Sequence, residues 1–148
     1  MISLILSAIV CCTPPSVDTT PLLNAMYQIE SSGGKNLVGD FGMAIGPYQI
    51  HWVYWKDATD YDPSIKGKYK DCTNKEYSER IIKAYWARYA PKNATVEQLA
   101  RIHNGGGGIL AKQFGNTKKT MNAWKNTTAY WNKIKREMKI GLYPTLQF

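Results

Sequence analysis

The sequence predicts an α+β fold: mostly helices, with a small β-hairpin after the first of them. Three observations point there. Apolar residues recur at helical spacing over most of the chain. Helix start and stop signals bracket those stretches. One tract, "KNLVGDFGMAIG" at residues 35–46, is instead glycine-punctuated and partly β-branched, which suits a hairpin or extended loop. The 148 residues form one domain by length, enough to bury a core without metals or disulfides. A content of 44% hydrophobic and 20% charged residues excludes a disordered chain.

The elements follow in order. "MISLILSAIVCC" opens the chain with an apolar run of nine residues after Met1, short of the ~20 needed to cross a bilayer. It resembles the apolar stretch of an export signal, without the basic residues that usually precede it. Residues 1–16 are therefore expected to be an export signal and 17–148 the folded domain; a buried N-terminal strand or helix is the alternative. Thr20 and Pro21 start the first helix. Leu22, Leu23, Met26 and Ile29 give it an apolar stripe, and Gly33 and Gly34 stop it. After the hairpin, Pro47 starts a second helix, "PYQIHWVYWKDA", with Trp52 in the core. Residues 59–72 read as a basic loop.

Thr73 and Glu76 form a capping box for a helix to about Ala90. Tyr77, Ile81, Ala84, Tyr85 and Tyr89 share one face of it, and Pro91 ends it. Thr95 with Gln98 caps a short helix through Leu99 and Ile102. "NGGGG" breaks the chain at 104–108. The stretch from Ile109 to Met138 reads as two or three helices, with Phe114, Met121, Trp124, Tyr130, Trp131 and Ile134 as core candidates.

Net charge is +8, with mild clusters at Lys66, Lys68 and Lys70 and at Lys133, Lys135 and Arg136. Such a charge points to an anionic partner, whether nucleic acid, a lipid surface or a bacterial wall, or to a plain solvated surface. No nucleic-acid motif accompanies the charge, so no nucleic-acid partner is expected. Stable membrane insertion is not expected either. The three cysteines are an odd count, which argues against a disulfide framework. No Cys/His cluster has metal-ligand spacing, so no metal or cofactor is expected.

"IESSGG", residues 29–34, places Glu30 at the C-terminal end of a helix, where the dipole disfavours a negative charge. Apolar neighbours such as Ile29, Leu37 and Tyr48 are expected to desolvate it and raise its pKa. Asp40, between Gly39 and Gly42, lies in the hairpin-like tract and should be more open to water. A hairpin folded back on the helix would set the two carboxylates across one groove. Glycoside hydrolysis requires that arrangement: one group protonated to donate to the leaving oxygen, the other ionised to meet the developing oxocarbenium ion. Two unrelated surface acids are the plainer reading.

Further blocks bear on that choice. "ESSGG", "GPYQIHWVYWKDA" at 46–58, "YWARY" at 85–89 and "ARIHNGG" at 100–106 occur in this order, with a weaker fifth, "AYWNKIK", at 129–135. Together they resemble the invertebrate-type lysozymes, the destabilase family, over residues 24 to 136. The resemblance implies a lysozyme-like fold and hydrolysis of the β-1,4 bond between N-acetylmuramic acid and N-acetylglucosamine in peptidoglycan. It implies Glu30 as general acid and Asp40 as nucleophile or stabiliser. It implies a sugar groove lined by Gln49, His51, Tyr54, Trp55, Tyr85, His103, Asn104 and Gly105. It further implies a secreted, bacteriolytic, antimicrobial monomer. The chain departs from the family in lacking most of its cysteines, in extra sequence between Gly106 and Ala129, and in a shorter segment between Asp40 and Gly46. Two alternatives stand beside hydrolysis: a lytic transglycosylase using Glu30 alone, and a non-catalytic cationic wall-binding protein. No serine–base pair suited to isopeptide cleavage is legible.

Overall fold

A computed structural model describes residues 17–142. The expected export signal, with Cys11 and Cys12, lies outside the described residues. The described residues form five α-helices and a small sheet: α1 (Thr20–Ser31), α2 (Trp52–Tyr61), α3 (Lys75–Tyr89), α4 (Val96–Gly105) and α5 (Lys118–Leu142). The sheet has three two-residue strands, β1 (Val38–Gly39), β2 (Ala44–Ile45) and β3 (Ile50–His51), antiparallel in that order. Val38 faces Ile45 and Gly39 faces Ala44; Ala44 in turn faces His51. The expected α+β, lysozyme-like architecture is present, with the β element directly after the first helix.

Apolar stripes explain the packing. Leu22, Leu23 and Met26 of α1 are buried, as are Ile81, Ile82 and Trp86 of α3, Leu99 and Ile102 of α4 and Ile134 of α5. α5 packs on both α1 and α4, and α2 packs on α3. The buried Arg101 joins α4 to α5: its guanidinium donates to Thr127 Oγ1 at 2.9 Å and lies 4.0 Å over the Trp124 ring. Glu97 on its own helix supplies the countercharge at 2.6 Å, so the buried cation is paired and hydrogen-bonded, as burial demands.

The sheet is strapped to the segment that precedes α3. The Tyr69 hydroxyl bonds to the Met43 and Ile50 carbonyls at 3.0 and 2.8 Å. Gly46, at φ +79°, runs so close to another segment that a Cβ there would sit 1.7 Å from the Cys72 carbonyl oxygen. Only glycine fits that approach. Cys72 itself is a buried free thiol.

Several expectations are corrected. The second helix starts at Trp52, not Pro47, because Gln49 adopts φ +48° and Ile50–His51 pair with β2. Trp52 is then 52% exposed rather than core. Residues 59–72 are not all loop: α2 runs to Tyr61 and a 3-10 turn spans Tyr69–Thr73. Asn74, not Thr73, caps α3, its side chain accepting from the Tyr77 N–H at 2.8 Å. At α1 the cap falls on Thr19, and the Asp18 carboxylate accepts from the Thr20 N–H. The glycine break begins only after Gly105. A short 3-10 turn, Leu110–Phe114, precedes the single long α5, which no proline interrupts. Phe114 and Met121 are exposed, while Tyr130 and Ile134 are buried and Trp124 and Trp131 pack partly against the core.

Candidate active site

Glu30 is the penultimate residue of α1. The serines and glycines after it terminate the helix by specific bonds. Ser32 turns left-handed at φ +53°, and its N–H returns to the Gln28 carbonyl. The Ser31 hydroxyl donates to the Tyr27 carbonyl at 3.0 Å and accepts from the Gly34 N–H at 2.9 Å. The chain then reverses into β1, which carries Asp40 back toward Glu30.

Asp40 and Phe41 are consecutive non-glycine residues in the left-handed region, at φ +48° and +55°. Each costs roughly 1–2 kcal/mol. Aspartate tolerates this better than phenylalanine, whose side chain here is fully exposed. The turn presents Asp40 to a groove of about 370 Å3 lined by Glu30, Asp40, Gln49, His51, Tyr54, His103 and Asn104, with Ala44 and Ile50. Strained backbone of this kind persists where the surroundings over-determine it, often at functional sites.

The two carboxyl groups sit in unlike surroundings. Glu30's side chain is 19% exposed and Asp40's 48%. Burial raises the Glu30 carboxyl above its ordinary value; the Tyr130 hydroxyl and the Lys133 ammonium oppose the rise. That buried hydroxyl has no partner at full hydrogen-bonding geometry, and Glu30 is the acid it faces. On the open side, Asp40 Oδ2 lies 3.4 Å from His51 Nε2, both groups about half exposed. Such a pair contributes little to stability.

His103 stands beside Glu30, its Nε2 3.9 Å from Glu30 Oε1. Burial pushes its pKa down to about 4, so at neutral pH it places no positive charge next to the acid. Its Nδ1 lies 3.2 Å from the Tyr54 hydroxyl.

The structure brings seven of the ten expected site residues into the groove and leaves three out. Trp55 turns inward, donating its indole N–H to the Tyr77 hydroxyl at 3.0 Å. Tyr85 is buried behind the wall, stacked on Tyr54 at 3.7 Å between centroids, and its hydroxyl accepts from the Gly107 N–H. Gly105 is a packing position: a Cβ there would meet Ile109 and Thr127 at 2.6 Å. Gln49 has a structural duty besides, its amide donating to the Gly46 and Asn36 carbonyls. Leu37, expected to shield Glu30, is 37% exposed. The sequence marks Tyr130 as a core residue and does not reveal its position at Glu30, because helical spacing marks a residue as buried without saying what its polar end meets.

An α+β, lysozyme-like fold with a sheltered glutamate at the end of its first helix and an open aspartate in the following hairpin defines a lysozyme-like protein. The family model described as Destabilase matches residues 20–137. The chain thus belongs to the destabilase family, the invertebrate-type lysozymes. At that level, membership supports a lysozyme-like hydrolase with glycosidase or isopeptidase activity. No curated protein and no solved structure matches the chain.

Proposed function

We propose that this protein is a secreted lysozyme that hydrolyses the β-1,4 bond between N-acetylmuramic acid and N-acetylglucosamine in peptidoglycan. The observation that carries the reading is the contrast between two carboxyl groups lining one groove, Glu30 sheltered and Asp40 open. The Glu30 carboxyl, whose hold on its proton burial strengthens, donates to the glycosidic oxygen as the bond breaks. The Asp40 carboxylate, beside His51, bonds to or stabilises the developing oxocarbenium carbon. Water, activated by the now ionised Glu30, completes the reaction with retention. Tyr54 and Asn104 offer an aromatic face and an amide to the sugar and its N-acetyl group.

Isopeptide cleavage is less well supported. The groove lining contains no serine, threonine or cysteine. The nearby Ser31 hydroxyl is 1% exposed and already bonded within the chain turn.

Glu30→Gln keeps the shape and removes the proton. Release of reducing sugar from purified peptidoglycan is expected to fall by at least about a hundredfold, within the range for loss of a general acid. A Glu30→Gln protein that clears walls at the wild-type rate removes Glu30 from this role. Killing by that variant without new reducing ends supports the non-catalytic cationic reading instead.

A further inference from the structure

The net charge of +8 is not spread evenly. α5 carries seven Lys and Arg against the single acid Glu137, so six of the eight excess charges lie on one helix. Its buried side, with Thr127, Tyr130 and Ile134, faces the core. Successive residues advance about 100° around a helix. Lys118, Lys125, Asn132, Arg136 and Lys139 therefore form a narrow stripe opposite that buried side, and all five are exposed. The stripe is ~31 Å long at about 1.5 Å per residue. Asn132, Lys135, Arg136 and Lys139 line a shallow surface depression along it.

A solvated face that only keeps the protein soluble would be built differently. Among the described residues, α2, α3 and α4 each neutralise a cation with an acid one turn away: Lys56 with Asp60, Lys75 with Glu79, Arg101 with Glu97. No such pair lies on α5 among the described residues. Lys135 and Lys139 instead stand one turn apart as like charges, which weakens a helix. Lys118 and Lys119 open the helix, where the dipole disfavours cations, and no acid occupies that first turn. The helix is less favourable for carrying these charges, so their value lies in what they bind.

We propose that the α5 stripe is a binding surface for the linear phosphodiester polymers of bacterial walls, such as polyol-phosphate chains, and holds the enzyme on the wall beside its glycan. This rests on the wall-directed reading of the groove. An extended polyanion matches a straight row of separated cations, each phosphate meeting one side chain and releasing counterions. A bilayer fits less well. The apolar side of α5 is already buried in the core, and Met121 is its one exposed large apolar residue among the described residues, whereas interfacial helices present a broad apolar face to lipid.

The test compares wall sacculi carrying their polyol-phosphate polymer with the same sacculi stripped of it by acid. Binding is measured on protein carrying Glu30→Gln, so that the wall is not dissolved. The expected result is tighter binding to the phosphate-bearing wall, falling steeply with salt. Adding Lys125→Gln, Arg136→Gln and Lys139→Gln should reduce that binding by about tenfold or more and flatten the salt dependence. The same three positions changed to Arg should keep it. With native Glu30, the triple Gln protein should hydrolyse stripped sacculi at the wild-type rate. Equal binding to both walls, or undiminished binding by the triple Gln protein, overturns the proposal. So does tighter binding to anionic vesicles or duplex DNA than to the phosphate-bearing wall. Hydrolysis that fails on stripped sacculi while polymer binding persists contradicts the glycosidase reading instead, so the two failures are distinguishable.

Discussion

His103 joins the proposed acid to the aromatic wall of the groove: its Nε2 lies 3.9 Å from Glu30 Oε1 and its Nδ1 3.2 Å from the Tyr54 hydroxyl. Tyr54 is stacked on Tyr85, which is fixed in turn by the Gly107 N–H. The ring is therefore anchored at Nδ1 and lies against the acid at Nε2, and its burial has a measurable consequence.

With its folded pKa lowered to about 4, His103 resists a proton that the unfolded chain accepts near 6.5. Stability from this site is full above 6.5 and is lost as pH falls toward 4. The loss is on the order of 3 kcal/mol across that window. Urea unfolding at a series of pH values should show the decline in the wild type and a shallower one in His103→Gln. Equal slopes in the two proteins would mean that this histidine is not buried neutral.

Glu30 acts with the opposite sign. Its folded pKa is raised by burial above 4.5, so the native state keeps a proton that the unfolded chain releases. Stability from this site is full below the unfolded value and is lost as pH rises to the folded one. Glu30→Gln should therefore melt increasingly above the wild type as pH rises past 4.5 toward the raised folded value. A variant that melts below the wild type at pH 7 would show that the ionised carboxylate is stabilising and its pKa not raised.

Two glycines of the hairpin should respond very differently to alanine. At Gly46 a new Cβ meets the Cys72 carbonyl, backbone that cannot swing away, at a left-handed φ. Gly46→Ala should cost about 3 kcal/mol or more. At Gly39 the obstacle is the Gln49 side-chain oxygen at 1.9 Å, the end of a movable group. Gly39→Ala should cost about 1 kcal/mol, the loss of the Gln49 amide bonds. Thermal or urea unfolding of both variants checks the order.

Much of this fold was legible because its helices depend on local signals. Thr95 and Gln98 cap α4 reciprocally, as their spacing suggests. Glu30, His51, Tyr54, His103 and Asn104 lie in the ordered blocks and Asp40 in the glycine-punctuated tract between the first two, and all six line one groove. What failed was non-local. Pairing of Ile50 and His51 with β2 overrides the helical look of residues 47–51 and turns Trp52 outward. Trp55 and Tyr85 carry the same aromatic chemistry as Tyr54, and sequence does not say which ring faces the groove and which supports it. Phe114 and Met121 are apolar but lie where no other element among the described residues covers them.

The most direct measurement is the chemistry of the products. Purified peptidoglycan is digested with wild-type and Asp40→Asn protein, and the muropeptides are analysed by mass. Hydrolysis with Asp40 as nucleophile or stabiliser gives reducing N-acetylmuramic acid ends. The Asp40→Asn protein should then be about 10²–10³-fold slower, as for loss of a transition-state stabiliser, yet as stable as the wild type, because Asp40 is half exposed and only weakly paired. Products dominated by 1,6-anhydro ends, formed as fast by Asp40→Asn as by the wild type, would contradict hydrolysis through this pair and establish a transglycosylase that uses Glu30 alone.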